Sequence, residues 1–333
     1  MNIEQGLSND ERNGRVQLLR HSTFLFPYSS FGKWFRRSTR CGAGRRLAAW
    51  CCLAVGFPAA GQAPPDAAIF LVALRGKGQA VRVGKPLPIT RRQGYNNQPA
   101  FTPDGKALLY TSIGADGQAD TYRYDVRKRT TTQLTRTAES EYSPTVTPDG
   151  KHFSVVRVEK DKTQRLWQFP LAGAGEPTLL LPHVKPVGYH CWLDADWLGL
   201  FILGKPNFLQ LARVSTGDTL RIEGDIGRSL RKVPGKNALS YVHKRTPDAW
   251  DIRQLDLHTR QTTTLAPALA GSEDFVWTPD GALLMCRGAV LYRYQPGTDA
   301  GWLPLADLGA YGIGSLSRLA LDPKGRKLAL VGQ

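Results

Sequence analysis

Short apolar runs alternate with polar turns along most of the chain. Three turns share a motif, and each is followed by an apolar run such as KALLY (residues 106–110): FTPDG (101–105), VTPDG (146–150) and WTPDG (277–281). A Pro-Asp-Gly sequence between two apolar runs is typical of the tight turn of a β-hairpin. Each motif therefore predicts two short antiparallel strands.

The hairpin motif recurs with a period close to 44 residues. Six copies align on the turn proline or its equivalent, with spacings of 45, 45, 41, 45 and 44 residues: Pro103, Pro148, Leu193, Pro234, Pro279 and Pro323. The second half of the unit repeats as well, because Asp, Asp and Leu follow both Pro103 and Pro234 at offsets of 17, 22 and 31 residues. The repeating unit therefore contains about four strands.

Four short strands recurring every 40 to 50 residues are the pattern of a β-propeller. The sixth unit ends after two strands, and residues 68–90 supply a matching pair, AIFLVAL followed by VRVGKPLPIT. No long stretch shows the 3.6-residue apolar period of a helix. We therefore expect an all-β, six-bladed β-propeller with four-stranded blades. Strands in 68–90 should complete the last blade with residues 315–333.

The charge is uneven along the chain. The sequence has 333 residues, with 44 Lys plus Arg against 28 Asp plus Glu, and residues 1–61 hold nine of the basic residues but three of the acidic ones. A basic stretch followed by LAAWCCLAVGFPAA (47–60) has the order of a secretory signal peptide, here with an over-extended start. The apolar run is too short for a membrane-spanning helix. We expect a signal segment at 1–61 and a single propeller domain at 62–333.

Removing that segment changes what the net charge means. The formal charge of +16 falls to +10, and the remaining basic residues are spread over the repeats. Nucleic-acid-binding proteins concentrate such residues on one face. No nucleic-acid partner and no transmembrane segment in the mature chain are predicted, and the expected form is a periplasmic or secreted monomer.

A family resemblance can be stated from the repeat itself. The FTPDG segment, with DTYRYD (120–125) and QLT (133–135), resembles the WD40-like repeats called PD40 repeats, and six of them resemble a TolB-like six-bladed β-propeller. The resemblance implies the fold. It leaves function open, because such repeats occur in periplasmic binding proteins, peptidase side domains and lyases. The sequence differs from TolB in leaving no room for the α/β domain that precedes the TolB propeller.

Catalytic and metal-binding patterns are weak. No G-x-S-x-G nucleophile motif is present, and the histidines after residue 61 are scattered: His152, His183, His190, His243 and His258. No catalytic residue, metal ligand or cofactor is predicted. A lyase or lactonase-type propeller enzyme with a metal in the central channel remains the alternative.

Propeller geometry gives a better candidate site. The residues entering the innermost strand of each blade reach the mouth of the central channel, and they lie five and six positions before each marker. With His190 of the third unit, this rule selects a largely polar set: Asn97, Gln98, Tyr142, Ser143, Val187, Gly188, Arg228, Ser229, Glu273, Asp274, Ser317 and Arg318. We expect an exported cell-envelope protein that binds a protein, peptide or glycan at this mouth without catalysing a reaction.

Overall fold

A computed structural model of the protein describes residues 66–90, 93–173 and 175–333. The expected signal segment, residues 1–61, lies outside the described residues. The described chain is built almost entirely from strands: β1 (Ala68–Arg75), β2 (Arg82–Val83), β3 (Leu87–Pro88), β4 (Asn96–Phe101), β5 (Ala107–Ile113), β6 (Ala119–Asp125), β7 (Thr130–Gln133), β8 (Ser140–Val146), β9 (His152–Val158), β10 (Gln164–Pro170), β11 (Thr178–Leu180), β12 (Val187–Trp192), β13 (Trp197–Ile202), β14 (Phe208–Arg213), β15 (Thr219–Gly224), β16 (Ile226–Lys232), β17 (Ala238–Lys244), β18 (Trp250–Asp256), β19 (Thr262–Pro267), β20 (Phe275–Trp277), β21 (Leu283–Arg287), β22 (Val290–Tyr294), β23 (Leu303–Asp307), β24 (Leu316–Leu321) and β25 (Lys327–Gly332).

The strands form six antiparallel sheets, which are the blades of a propeller. Blades one to five are β4 to β7, β8 to β11, β12 to β15, β16 to β19 and β20 to β23, each in chain order. Two 3-10 helices, Gly78–Ala80 and Gly309–Tyr311, are the described helical elements. Neither has the length or apolar content to cross a membrane. The predicted fold class and blade count are confirmed.

The repeated turn has a clear local cause. The hydroxyl of Thr102 accepts a hydrogen bond from the backbone N–H of Ala107 at 3.0 Å and donates to Asp104 at 2.6 Å. The same carboxylate accepts from the backbone N–H of Lys106 at 3.0 Å, and Gly105 has φ of +67°. Gly adopts this left-handed conformation with little strain. The TPDG sequence thus closes the hairpin between the two innermost strands, β4 and β5.

The two ends of the described chain share blade six. Strand β1 pairs antiparallel with β25, from Ala68 opposite Gly332 to Ala73 opposite Lys327, and β24 lies on the other side of β25. This confirms the predicted closure. The fourth strand of the blade is split into β2 and β3, because Pro86 and Pro88 lack the N–H that a continuous ladder requires.

Apolar side chains fill the spaces between neighbouring blades. Leu109 of blade one packs with Phe153, Val155 and Phe169 of blade two, and the rings of Phe153 and Phe169 stack with centroids 5.5 Å apart. Related clusters join the other blades. Because each blade is held on both sides by such contacts, the innermost strands are fixed around a common cavity.

Candidate functional site

A repeated irregularity shapes the first strand of the blades. In five of them the pairing with the second strand shifts register close to the predicted mouth position. The shifts lie between Asn97 and Ala100, Tyr142 and Thr145, Val187 and Tyr189, Ile226 and Leu230, and Leu316 and Arg318. A β-bulge bends its strand and redirects side chains. In blade five, Glu273 and Asp274 come just before β20, which begins at Phe275.

The structure brings seven predicted residues together around one cavity. Its volume is about 70 Å³, and all six blades contribute to its lining. The predicted residues that line it are Gln98, Ser143, His190, Arg228, Ser229, Asp274 and Arg318. This cavity is the candidate functional site.

The other predicted polar residues lie beside the cavity. Asn97 accepts a hydrogen bond from the backbone N–H of Gln98 at 2.7 Å, and the carbonyl of Ser317 accepts one from Arg228 at 3.4 Å. Glu273 forms an ion pair with Lys244. Burial raises the pKa of the half-buried Tyr142. Asn97, Ser317 and Glu273 thus contact residues of the lining without forming part of it.

An acid between two arginines is the strongest charged feature of the site. Arg228 donates from Nε and Nη2 to Asp274 at 2.9 and 2.5 Å, and Nη1 of Arg318 lies 3.6 Å from the same carboxylate. Burial raises the pKa of Asp274, but the charges of Arg228 and Arg318 outweigh burial and hold it below its ordinary value. Asp274 is therefore ionised at neutral pH although its side chain is 6% exposed.

Two residues that complete the site were missed by the sequence rule. Tyr189 accepts a hydrogen bond from Arg318 at 2.8 Å, and its ring centroid lies 4.9 Å from the Arg318 guanidinium carbon. Arg231 donates to the backbone carbonyls of Phe275 and Leu319 at 3.0 and 3.1 Å. Tyr189 and Arg231 lie four and three positions before their markers, Leu193 and Pro234, so counting only five and six positions selected Val187, which is fully buried, and Gly188 in place of Tyr189.

His190 pairs with a serine in a way that resembles a catalytic dyad. Its Nε2 lies 2.7 Å from the hydroxyl of Ser154, which also accepts from Trp192 and contacts the carbonyl of Thr145. Ser154 is fully buried, so its hydroxyl is closed to a substrate. Burial lowers the pKa of His190 to about 4, which makes the ring neutral at neutral pH. The pair joins the inner strands and is not arranged for nucleophilic attack.

Two polar atoms at the cavity have unmet hydrogen-bonding capacity. Ser143 Oγ and His190 Nδ1 are buried without a hydrogen-bond partner within the described residues. Over the same part of the chain, no group of three or more His, Cys, Asp or Glu side chains is arranged to hold a metal ion. The available chemistry is hydrogen bonding and charge recognition by guanidinium groups.

Fold and site together define a six-bladed β-propeller with an arginine-lined central cavity. No protein-family model matches the sequence. Among solved structures, the chain is similar to a protein assigned as TolB from Agrobacterium tumefaciens, with a TM-score of 0.62, 17% identity, and coverage of 80% of this chain and 98% of the other. It is also similar to TolB from Acinetobacter baumannii, with a TM-score of 0.52, 14% identity, and coverage of 80% and 64%.

A third similarity is to a protein assigned as a gluconolactonase. Its TM-score is 0.52 at 11% identity, with coverage of 72% of this chain and 88% of the other. At such identities a likeness shows the fold alone. The chain has the fold of a TolB-like propeller, and this fold is shared by binding proteins and enzymes.

Proposed function

We propose that the protein is an exported cell-envelope propeller that binds a protein, peptide or glycan at the channel mouth and catalyses no reaction itself. The observation that carries the proposal is the convergence of polar residues from six blades on one cavity. A concave site with convergent polar groups is the usual form of a ligand site. The likeness to two TolB structures supports a binding role.

Export is the second part of the proposal. It rests on the basic and apolar order of residues 1–61, and a periplasmic or secreted protein would meet envelope partners. Mass spectrometry of the protein purified from its native host tests this part directly. Cleavage near residue 61 is expected, and a mature N-terminus at Met1 would contradict it.

The binding role is tested by affinity capture from an envelope fraction of the native host. The bait is the protein produced from the full-length gene, compared with Arg318→Gln at the cavity and with Arg213→Gln as a matched control. Arg213 pairs with Asp196 on an exposed surface, and its side chain is 44% exposed. A partner of the mouth should be retained by wild type and control but lost from Arg318→Gln. Equal retention of the partner by all three folded baits would show that the partner binds outside the cavity.

An enzyme with a metal in the channel is the second candidate. The gluconolactonase structure shares the propeller fold with the two TolB structures, so this fold is compatible with an enzyme. Elemental analysis of the protein purified from its native host separates the candidates. A stoichiometric metal that is lost on substitution of His190 or Asp274 would favour the enzyme, whereas a metal-free protein that still captures its partner would favour the binding role.

A further inference from the structure

The charges lining the cavity are unbalanced. Within the described chain, the charged residues of the lining are Arg228, Arg231, Arg318 and Asp274. Glu273, which precedes Asp274 and is not part of the lining, is engaged by Lys244 and by the backbone N–H of Arg228 at 3.1 Å. Three guanidinium groups therefore share one carboxylate, which leaves a surplus of two positive charges. Buried charges of one sign are unfavourable unless a counter-charge arrives.

The three arginines are held in place before any ligand binds. Arg231 is fixed by two backbone carbonyls, Arg318 by the hydroxyl of Tyr189, and Arg228 by Asp274. The side chains of Arg228 and Arg318 are 25% and 12% exposed, so both still reach the cavity. Preorganised donors bind an anion with less loss of side-chain entropy than mobile surface arginines.

The cavity volume limits what can enter. This volume of about 70 Å³ is about half that of an engineered apolar cavity of about 150 Å³ that holds one benzene molecule. One small planar anionic group therefore fits this space, whereas a six-membered sugar ring does not. The planar fork of a guanidinium matches the two oxygens of a carboxylate. The terminal carboxylate of a peptide is carried on a single carbon and can enter end first, while the carboxylate of a uronic acid is attached directly to a sugar ring.

We propose that Arg228, Arg231 and Arg318 bind the C-terminal carboxylate of a peptide that enters the channel mouth and ends in a small residue. This inference rests on the proposed binding function and specifies the ligand of the same site. Asp274 orients Arg228 and Arg318 and compensates one of the three positive charges, so two remain to attract the ligand.

The test compares triglycine with triglycinamide, which differ in one terminal negative charge. Binding to the protein from the full-length gene is measured by calorimetry or by NMR titration at 20 mM and 150 mM salt. Triglycine should bind, and triglycinamide should bind at least tenfold more weakly. The Arg318→Gln variant should bind triglycine roughly 10- to 100-fold more weakly, the loss expected for a hydrogen bond to a charged group. Arg213→Gln should match wild type.

The outcomes separate this inference from the proposed function. Equal binding of acid and amide, no binding of either, or tighter binding of galacturonate than of triglycine would overturn the inference. Because acid and amide are compared on wild type, this decision does not depend on a variant that folds. If triglycine does not bind but capture of the partner still requires Arg318, the carboxylate inference is wrong and the proposed binding function stands. If triglycine binds but capture ignores Arg318, the site takes small acids and the function proposal falls.

Discussion

Asp274→Asn is the substitution that probes the central cavity most directly. The change keeps the size of the side chain but removes the one carboxylate shared by Arg228 and Arg318. The Asp274 side chain is buried, so water has little access to solvate the guanidinium groups that lose their partner. The variant leaves three guanidinium groups around the cavity with no acid in the lining. We expect loss of stability with retention of the propeller fold.

The size of the effect follows from the burial of the pair. Removing one partner of a buried ion pair typically destabilises a protein by about 3–5 kcal/mol. Arg228 keeps its contact with the Ser317 carbonyl, and Arg318 keeps Tyr189, so the lower end of that range applies. With a urea dependence of about 3 kcal/mol per molar, the unfolding midpoint should fall by roughly 1 M.

The pH dependence provides a second measurement. The native pKa of Asp274 lies below its unfolded value of about 3.8, so its stabilisation is fully present above that value and is lost as the pH falls through the native pKa. The gap between wild type and Asp274→Asn should be constant from pH 5 to 9 and shrink below about pH 4.

Urea unfolding followed by circular dichroism measures both quantities, with Asp196→Asn as the control for an exposed pair. The control should change the midpoint much less, because exposed ion pairs contribute little. A midpoint for Asp274→Asn equal to that of wild type at pH 7 would refute the argument that this carboxylate compensates buried positive charge.

Two further substitutions test other parts of the fold. Burial raises the pKa of the fully buried Glu141 from 4.5 to about 7, although hydrogen bonds from Thr137 and Thr135 oppose the rise. Its contribution to stability therefore falls as pH rises from about 4.5 to 7. Urea unfolding should show that the stability of Glu141→Gln relative to wild type increases by up to roughly 3 kcal/mol between pH 5 and pH 8. A stability difference that does not change with pH would contradict this argument. For Gly199→Ala, a Cβ would lie 2.7 Å from Cδ2 of Leu239 in the next blade, so thermal unfolding should show a loss of about 1–3 kcal/mol; full wild-type stability would show that the two blades separate easily.

The sequence predicted the blades because their turns are determined locally. Thr102, Asp104 and Gly105 close a hairpin through contacts within six residues. The same TPDG sequence therefore indicates the same turn elsewhere in the chain. The split between β2 and β3 was missed, although Pro86 and Pro88 carried the signal. Local chemistry that repeats can be recognised without knowledge of the tertiary structure.

The site was predicted only in part, because residues three to six positions before the markers line the cavity and only two of those positions were counted. An offset counted from the turn selected Arg228, Asp274 and Arg318, which meet at the cavity. It missed Tyr189 and Arg231, which lie four and three positions before their markers, closer to the turn than the positions counted. Because β-bulges interrupt the strict alternation of side chains along a strand, the repeat alone does not show which of these positions face the cavity.

The net charge of the whole chain was also a poor guide to the site. The basic residues after residue 61 are widely spread, yet the surplus that matters is two charges around one small cavity. Additional acidic residues that neutralised all three arginines would stabilise the fold, but the cavity would then have no net charge to attract an anion. Removal of Asp274 would increase the positive charge of the cavity but leave Arg228 without the carboxylate that orients it. Three arginines around one carboxylate is therefore the balance expected where stability is reduced in favour of binding.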